Sequence, residues 1–336
     1  MDFRLTADQR ALRDGTRELL AGRFGRDRLR AAVGAPALDR ALWRELGEAG
    51  FFALRLPAAA GGVGLGLPEA VLVFEEAGRA LLPGPLVACQ VLAGVVDGVA
   101  TGERIAGLCE AAAGPVLWEH PADCDELILL EGAAGEGEGG GPAPGGAFRA
   151  AASEVAAAPL ASVDPLTPLA RLTDFPRTAP LALDAPRLRR EAALLTAAQQ
   201  LGGAARTVEM AVAHARRREQ FGVPIGSFQA VKHLCAQMLV RTEIARSAVY
   251  AASVTGDALE VAGAKLLADE AAVRNARDCL QVQGGMGFTW EADVHLHLKR
   301  AWLRAERWGP AREAEELLAE GLVTGAEAGP AAGAVE

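Results

Sequence analysis

The stretch Arg218–Met238 reads REQFGVPIGSFQAVKHLCAQM and separates two long helical patterns. Pro224 lacks an N–H and disfavours helical backbone at Val223, and Gly222 and Gly226 weaken the flanking turns, so a helix running in from Leu188 has to stop here. Ser227 stands where it could cap a second helix, which predicts two helices folded back on each other. A plain corner needs glycine, proline and a cap, but not Arg218, Gln220, Phe221, Phe228 and Gln229 together. The bland alternative is a surface loop with one aromatic plug.

On either side the periodicity is helical. Leu194, Ala198, Leu201, Ala205, Val208 and Val212 step by fours and threes, as do Val231, Leu234, Met238, Thr242, Ala245, Ala248 and Ala252. A third such helix from about Leu259 to Val282 and a shorter one from about Ala292 to Leu303 complete a predicted helical bundle. Upstream, from about Ile105 to Ala185, short apolar runs such as Pro115–Trp118 and Glu126–Leu130 alternate with turns and read as strands. The Gly, Glu and Pro run from Gly132 to Gly146 cannot form a core and is expected to be a long mobile hairpin connection.

The N-terminal part is helical again. Thr6 with Gln9 forms a capping-box pattern ahead of Leu12, Leu19 and Leu20, and a second helix carries Leu42, Trp43 and Leu46. The run Gly61-Gly62-Val63-Gly64-Leu65-Gly66 lacks a lysine and a preceding βαβ unit, so it is a weak phosphate loop. The division expected is a helical domain over 1–105, a shortened β domain over 106–185, a helical bundle over 186–323 and a disordered tail over 324–336.

Composition narrows the function classes. With 336 residues the chain can bury a large core, and its apolar half is mostly Ala, Leu and Val with only 5% aromatics, which suits helices packed through small residues. A net charge of −9 argues against nucleic acid as a partner. No apolar run approaches the ~18 residues that span a bilayer, and the charged start MDFRLTADQR does not resemble a signal peptide, so a cytoplasmic location is expected. Cys89, Cys109, Cys124, Cys235 and Cys279 are widely spaced without a C-x-x-C pair and read as reduced. His295 and His297 would point to different faces of a helix, and no metal site is expected.

The pattern R-x-Q-F-G-x-P-I-x-x-F-Q resembles the helix-junction signature of the acyl-CoA dehydrogenase family. So does Gln281–Glu291, QVQGGMGFTWE, which is similar to that family's Q-x-x-G-G-x-G-x-T-x-E element. Glu75, Glu76, Gly78 and Arg79 match its E-E-x-G-R, and for these carboxylates a solvated helix face or a packing corner is the preferred reading. The resemblance implies a mainly α fold with a small β domain: an N-terminal helical domain, a middle β domain and a C-terminal four-helix bundle. It also implies oxidation of an acyl-CoA to the 2,3-enoyl-CoA with FAD, and an electron-transfer flavoprotein as acceptor.

The same resemblance implies a division of labour. One family position for the catalytic glutamate falls on Ala192, with Glu191 one residue and ~100° of helix rotation away. The other falls in Arg304–Pro310, where Trp308 stands in its place and Glu306 reads as a surface ion-pair residue. The family's T-E-P-x-x-G-S stretch and W-x-T-like strand, which hold the flavin ring, have no counterpart in the middle domain, where Cys109-Glu110-Ala111 occupies the place without the chemistry. What survives is the set that reaches the adenosine diphosphate end of a neighbour's FAD: Arg218 toward the pyrophosphate, Gln220 and Phe221 beside the dinucleotide, and Gln281 with the Gly284–Gly285 backbone. The pattern resembles one subunit of the two-gene, α2β2 enzymes, some of which act on steroid side-chain CoA thioesters, with the base on a paralogous chain. Two rivals remain open at this point: a homotetrameric dehydrogenase using Glu191, and a flavin-free scaffold subunit of the same fold. An oxidase or hydroxylase on that fold is also left open.

Overall fold

A computed structural model describes residues 4–35, 37–111, 114–131 and 146–327, the last four by their backbone alone. Five helices come first: α1 (Ala7–Arg23), α2 (Arg26–Gly34), α3 (Arg40–Glu48), α4 (Leu67–Arg79) and α5 (Leu86–Leu92). The expected capping box opens α1, with Thr6 Oγ1 accepting from Gln9 N at 3.1 Å and Gln9 Oε1 accepting from Thr6 N at 3.0 Å.

Strands follow: β1 (Ala106–Ala111), β2 (Leu117–Glu119), β3 (Glu126–Glu131), β4 (Ala147–Ala151), β5 (Ala156–Leu160), β6 (Leu169–Asp174) and β7 (Pro180–Leu181). They form two sheets, ordered β1-β3-β4-β7 and β2-β6-β5. Among the described residues only β1 and β3 pair in parallel, with Ala106 opposite Glu126. The expected mobile connection lies outside the described residues over 132–145.

The bundle is built from α6 (Ala185–Arg217), α7 (Gln229–Thr255), α8 (Ala258–Gln283) and α9 (Val294–Ala305), with the two-residue strands β8 (Glu219–Gln220) and β9 (Val223–Pro224) between α6 and α7. A further helix, α10 (Ala311–Glu327), runs into the segment expected to be a disordered tail; residues 328–336 lie outside the described residues.

The sequence stripe on α6 holds only in its first half. Every residue from Leu194 to Gly202 is buried, whereas further along Ala204, Thr207, Ala211 and Ala215 are buried and Ala205, Val208 and Val212 only half so. α6 is the central helix, contacted by α4, α7, α8 and α9: over Leu194–Gly202 it is buried on every side and has no amphipathic face to read, and beyond that one face is exposed and the buried positions fall one residue off the expected stripe.

Where α4 crosses α6 the contact is backbone on backbone. A Cβ at Gly78 would meet Gln199 O and one at Gly202 would meet Glu75 O, both inside van der Waals contact. That is the physical need behind the glycine of the E-E-x-G-R run. Gly202→Ala should therefore cost at least ~1–3 kcal/mol, the usual range for overpacking, measured as a lower denaturant midpoint; a change under ~0.5 kcal/mol would show that the helices can separate freely.

Candidate functional site

Two corners of the bundle carry the residues singled out above. At the first, α6 ends with Arg218 N donating to His214 O at 2.9 Å, and β8 pairs with β9 through Glu219 opposite Pro224 and Gln220 opposite Val223. The tip is Phe221-Gly222, with φ of 55° and 78°. Two successive positive φ values define a tight hairpin turn that favours Gly or Asn, so a phenylalanine there is strained. Its ring is 92% exposed and meets Phe228 edge-on at 6.1 Å. Arg218 and Gln220 are exposed beside it, and Gln220 Nε2 donates to Glu219 O at 2.8 Å.

The corner itself is rigid. Ile225 N donates to Arg218 O at 2.8 Å, and a Cβ on Gly226 would lie 3.1 Å from Ala215 O. Ser227 does not cap α7, contrary to the sequence expectation. One 3₁₀ turn, Ile225–Ser227, intervenes, and Phe228 occupies the cap position without a side-chain hydrogen bond.

The second corner follows α8, whose last turn exposes Gln281. Gly284 adopts φ 62°, ψ −143°, and a 3₁₀ turn runs from it to Phe288. Nothing lies within 4 Å of a Cβ built on Gly284 or Gly285, so their backbone is open to approach. Met286, Phe288 and Trp290 are exposed around it.

Two arginines of α2, which sequence reasoning missed, hold this corner in place. Arg30 donates to Trp290 O at 2.6 Å and Glu291 O at 2.7 Å, while Arg26 donates to Glu291 O at 2.8 Å and Asp293 Oδ2 at 2.7 Å. Trp290 is further packed by His295, stacked at 4.8 Å, and by Lys299 Nζ at 4.6 Å from the ring. The i,i+4 spacing of Arg26 and Arg30 was legible, but not the backbone carbonyls some 260 residues away that they reach.

Both corners sit at one end of the bundle. Ala211 and Ala215 of α6, Met238 of α7, Cys279 and Leu280 of α8 and Val294 of α9 form one small apolar cluster, with Ile225 packed against it. Arg218, Gln220, Phe221, Gln281, Gly284 and Gly285 are thereby presented around a shared foundation.

Glu191 belongs elsewhere. It lies near the start of α6, about 40 Å along the helix from Arg218 at 1.5 Å per residue. Arg55 grips it with two bonds of 2.6 and 2.8 Å, and Arg187 adds a third at 2.8 Å. Burial raises its pKa, but the two guanidiniums outweigh that and hold the carboxyl below the usual range. Ala192 is fully buried. Glu75 and Glu76 are buried too: Glu75 binds Arg246 and Tyr250, the latter at 2.8 Å, and Glu76 binds Arg17 at 2.6 and 2.8 Å. They form a packing corner between α1, α4 and α7.

The junction of the middle domain with the turn after α9 leaves little space. Arg307 donates to Glu119 at 2.8 Å across it, and the space left, lined by Gly107, Leu108, Glu119, Thr196, Arg304 and Trp308 (φ 54°), is about 20 Å³. That volume is of the order of one water. An isoalloxazine ring is too large for it, whereas the two corners are open and carry exposed amide, guanidinium and backbone groups that could meet an extended anionic ligand.

Helical and β layers in this order, with a bundle bearing two exposed corners, are the layout expected from the family resemblance. The match to known proteins is extensive. Residues 6–103 match the acyl-CoA dehydrogenase N-terminal domain and residues 188–310 the acyl-CoA dehydrogenase C-terminal domain. The chain is 40% identical over 288 residues to acyl-CoA dehydrogenase FadE34 of Mycobacterium tuberculosis, covering 78% of this chain but 39% of that protein. It is 36% identical over 301 residues to acyl-CoA dehydrogenase IpdE2 of the same organism, covering 88% of this chain and 91% of the relative. Among solved structures, the M. tuberculosis ChsE4-ChsE5 complex shares the fold at a TM-score of 0.79 and 24% identity, over 96% of this chain and 99% of that one. The chain belongs to the acyl-CoA dehydrogenase family. Among its described residues no helix is long and apolar enough to cross a membrane.

Proposed function

We propose that this chain is one subunit of an FAD-dependent acyl-CoA dehydrogenase, forming the nucleotide-binding half of an intersubunit flavin site while a paralogous chain provides the ring cleft and the base. Bound FAD would supply the acceptor for the hydride that leaves the acyl β-carbon. This chain's part is to bind and orient. Arg218 offers a guanidinium to a pyrophosphate oxygen, Gln220 and Gln281 offer amides, Phe221 packs on the dinucleotide, and Gly284–Gly285 let backbone come close.

The observation that supports this most is Phe221. A bulky residue held at positive φ with its ring in solvent is unfavourable in the isolated chain on both counts and makes sense beneath a ligand or partner. The apolar stripe of Val240, Ile244 and Val254, each more than half exposed on α7, supports a partner chain in the same way. Names of the relatives support an acyl-CoA thioester as substrate, and family resemblance supports an electron-transfer flavoprotein as acceptor.

The test is to purify the chain alone and together with a paralogous subunit, and to measure flavin absorption and acyl-CoA-dependent dye reduction. The lone chain should be slower by at least the ~10²–10⁴-fold that a missing general base costs. Glu191→Gln should leave the assembled enzyme within about twofold of wild type, because a carboxylate already held by two arginines is a poor base. Full activity in the lone chain would overturn the divided site, and a colourless active-site complex would favour a scaffold.

A further inference from the structure

Arg300, Arg304 and Arg307 recur at i, i+4 and i+7 along α9 and the turn after it, facing the middle domain. The outer two are matched. Asp164 binds Arg300, and Glu119 binds Arg307 at 2.8 Å. Arg304 lies between them, 7% exposed, and among the described residues no carboxylate comes within ion-pair distance of it. Its Nε is buried without a hydrogen-bond partner. Thr196 Oγ1, also buried, is in the same condition. Both residues line the small cavity of about 20 Å³.

Charge accounting around this cavity leaves a remainder. Guanidiniums of Arg300, Arg304 and Arg307 face the carboxylates of Asp164 and Glu119, and behind them Lys265 and Asp269 are already bound to each other. One positive charge is left in the interior. Arginine does not escape this by losing a proton at neutral pH, since burial, with Arg300 adding to it, pushes Arg304 down only to about 9. A buried charge left uncompensated is strongly unfavourable. A water in the cavity would satisfy a donor but not the charge.

We propose that the cavity binds one halide-sized monoanion, held by Arg304 Nε and the Thr196 hydroxyl. Chloride matches the space for a single small particle, whereas phosphate or an acyl carboxylate is too large for it. The site is distinct from the two corners, and its existence does not depend on how flavin is shared. Its effect would be structural: the anion ties α6 to the last turn of α9 behind the Glu119–Arg307 pair.

Bromide tests it. The 336-residue chain crystallised in sodium bromide should show an anomalous scatterer at hydrogen-bond distance from Arg304 Nε and Thr196 Oγ1. In solution, thermal unfolding at constant ionic strength should show a saturable rise in Tm as bromide replaces gluconate. The half-saturating concentration should rise about tenfold or more in Thr196→Val, and the response should vanish in Arg304→Met. An ordered water in place of bromide, or an equal bromide response in wild type and Thr196→Val, would overturn the proposal.

Discussion

Arg218→Ala should strip the assembled enzyme of most of its flavin while leaving this chain as stable as before. The guanidinium is exposed and its backbone is fixed independently by Ile225 N and His214 O, so truncation removes no packing and stability should change by no more than ~0.5 kcal/mol. In the proposed complex the same group binds a phosphate oxygen. A hydrogen bond to a charged group contributes ~1.5–3 kcal/mol, which corresponds to an FAD Kd raised by roughly 10- to 150-fold.

Phe221 sharpens the test because its two effects should have opposite signs. Phe221→Asn places a residue that tolerates positive φ at the hairpin tip and removes an exposed ring, so the lone chain should gain ~1 kcal/mol in denaturant unfolding. The assembled enzyme should nonetheless hold FAD less tightly by flavin-release titration. A residue kept only as a surface plug would show no loss of flavin on either substitution, and that result would end the half-site reading.

What could be read from the sequence was what is local. Gly222 and Pro224 mark a corner by their own backbone chemistry, although α6 stops before them at Arg217, and Thr6–Gln9 caps α1 within one turn, so both features were legible. Ser227 failed because capping depends on where the first helical turn begins, and an intervening 3₁₀ turn moved that point to Phe228. The family register could place Glu191 near the base position, but not reveal that Arg55, 136 residues earlier, had already claimed its carboxylate. The arginine spacing on α9 was equally visible, yet only the fold shows that Asp164 and Glu119 answer two of the three. Non-local charge pairing carries no signature in one sequence, and it is what distinguishes a buried structural ion from a catalytic one here.

The Asp164–Arg300 pair should be the most costly single interaction to break. Asp164 is fully buried and Arg300 nearly so; the carboxylate also accepts from Thr167 Oγ1 at 2.7 Å and Leu166 N at 3.1 Å, and Arg300 donates to Leu82 O at 3.2 Å. The pair thus joins the middle domain, α9 and the connection between α4 and α5. Asp164→Ala or Arg300→Met alone should lower stability by ~3–5 kcal/mol, because each leaves a buried charge without its partner, whereas Asp164→Leu with Arg300→Met should recover most of that loss. Acid should act on the same bond. Burial raises the Asp164 pKa, but Arg300, with Thr167 and the Leu166 N–H, outweighs it and holds the carboxyl below its ordinary value. A carboxyl with a folded pKa below its unfolded one stabilises fully above the unfolded value, about 4, and that contribution is lost as pH falls from there through the folded value. Denaturant midpoints measured downward from pH 5 should therefore fall more steeply in wild type than in the double replacement; parallel curves would show that the pair contributes nothing to the acid sensitivity of the fold.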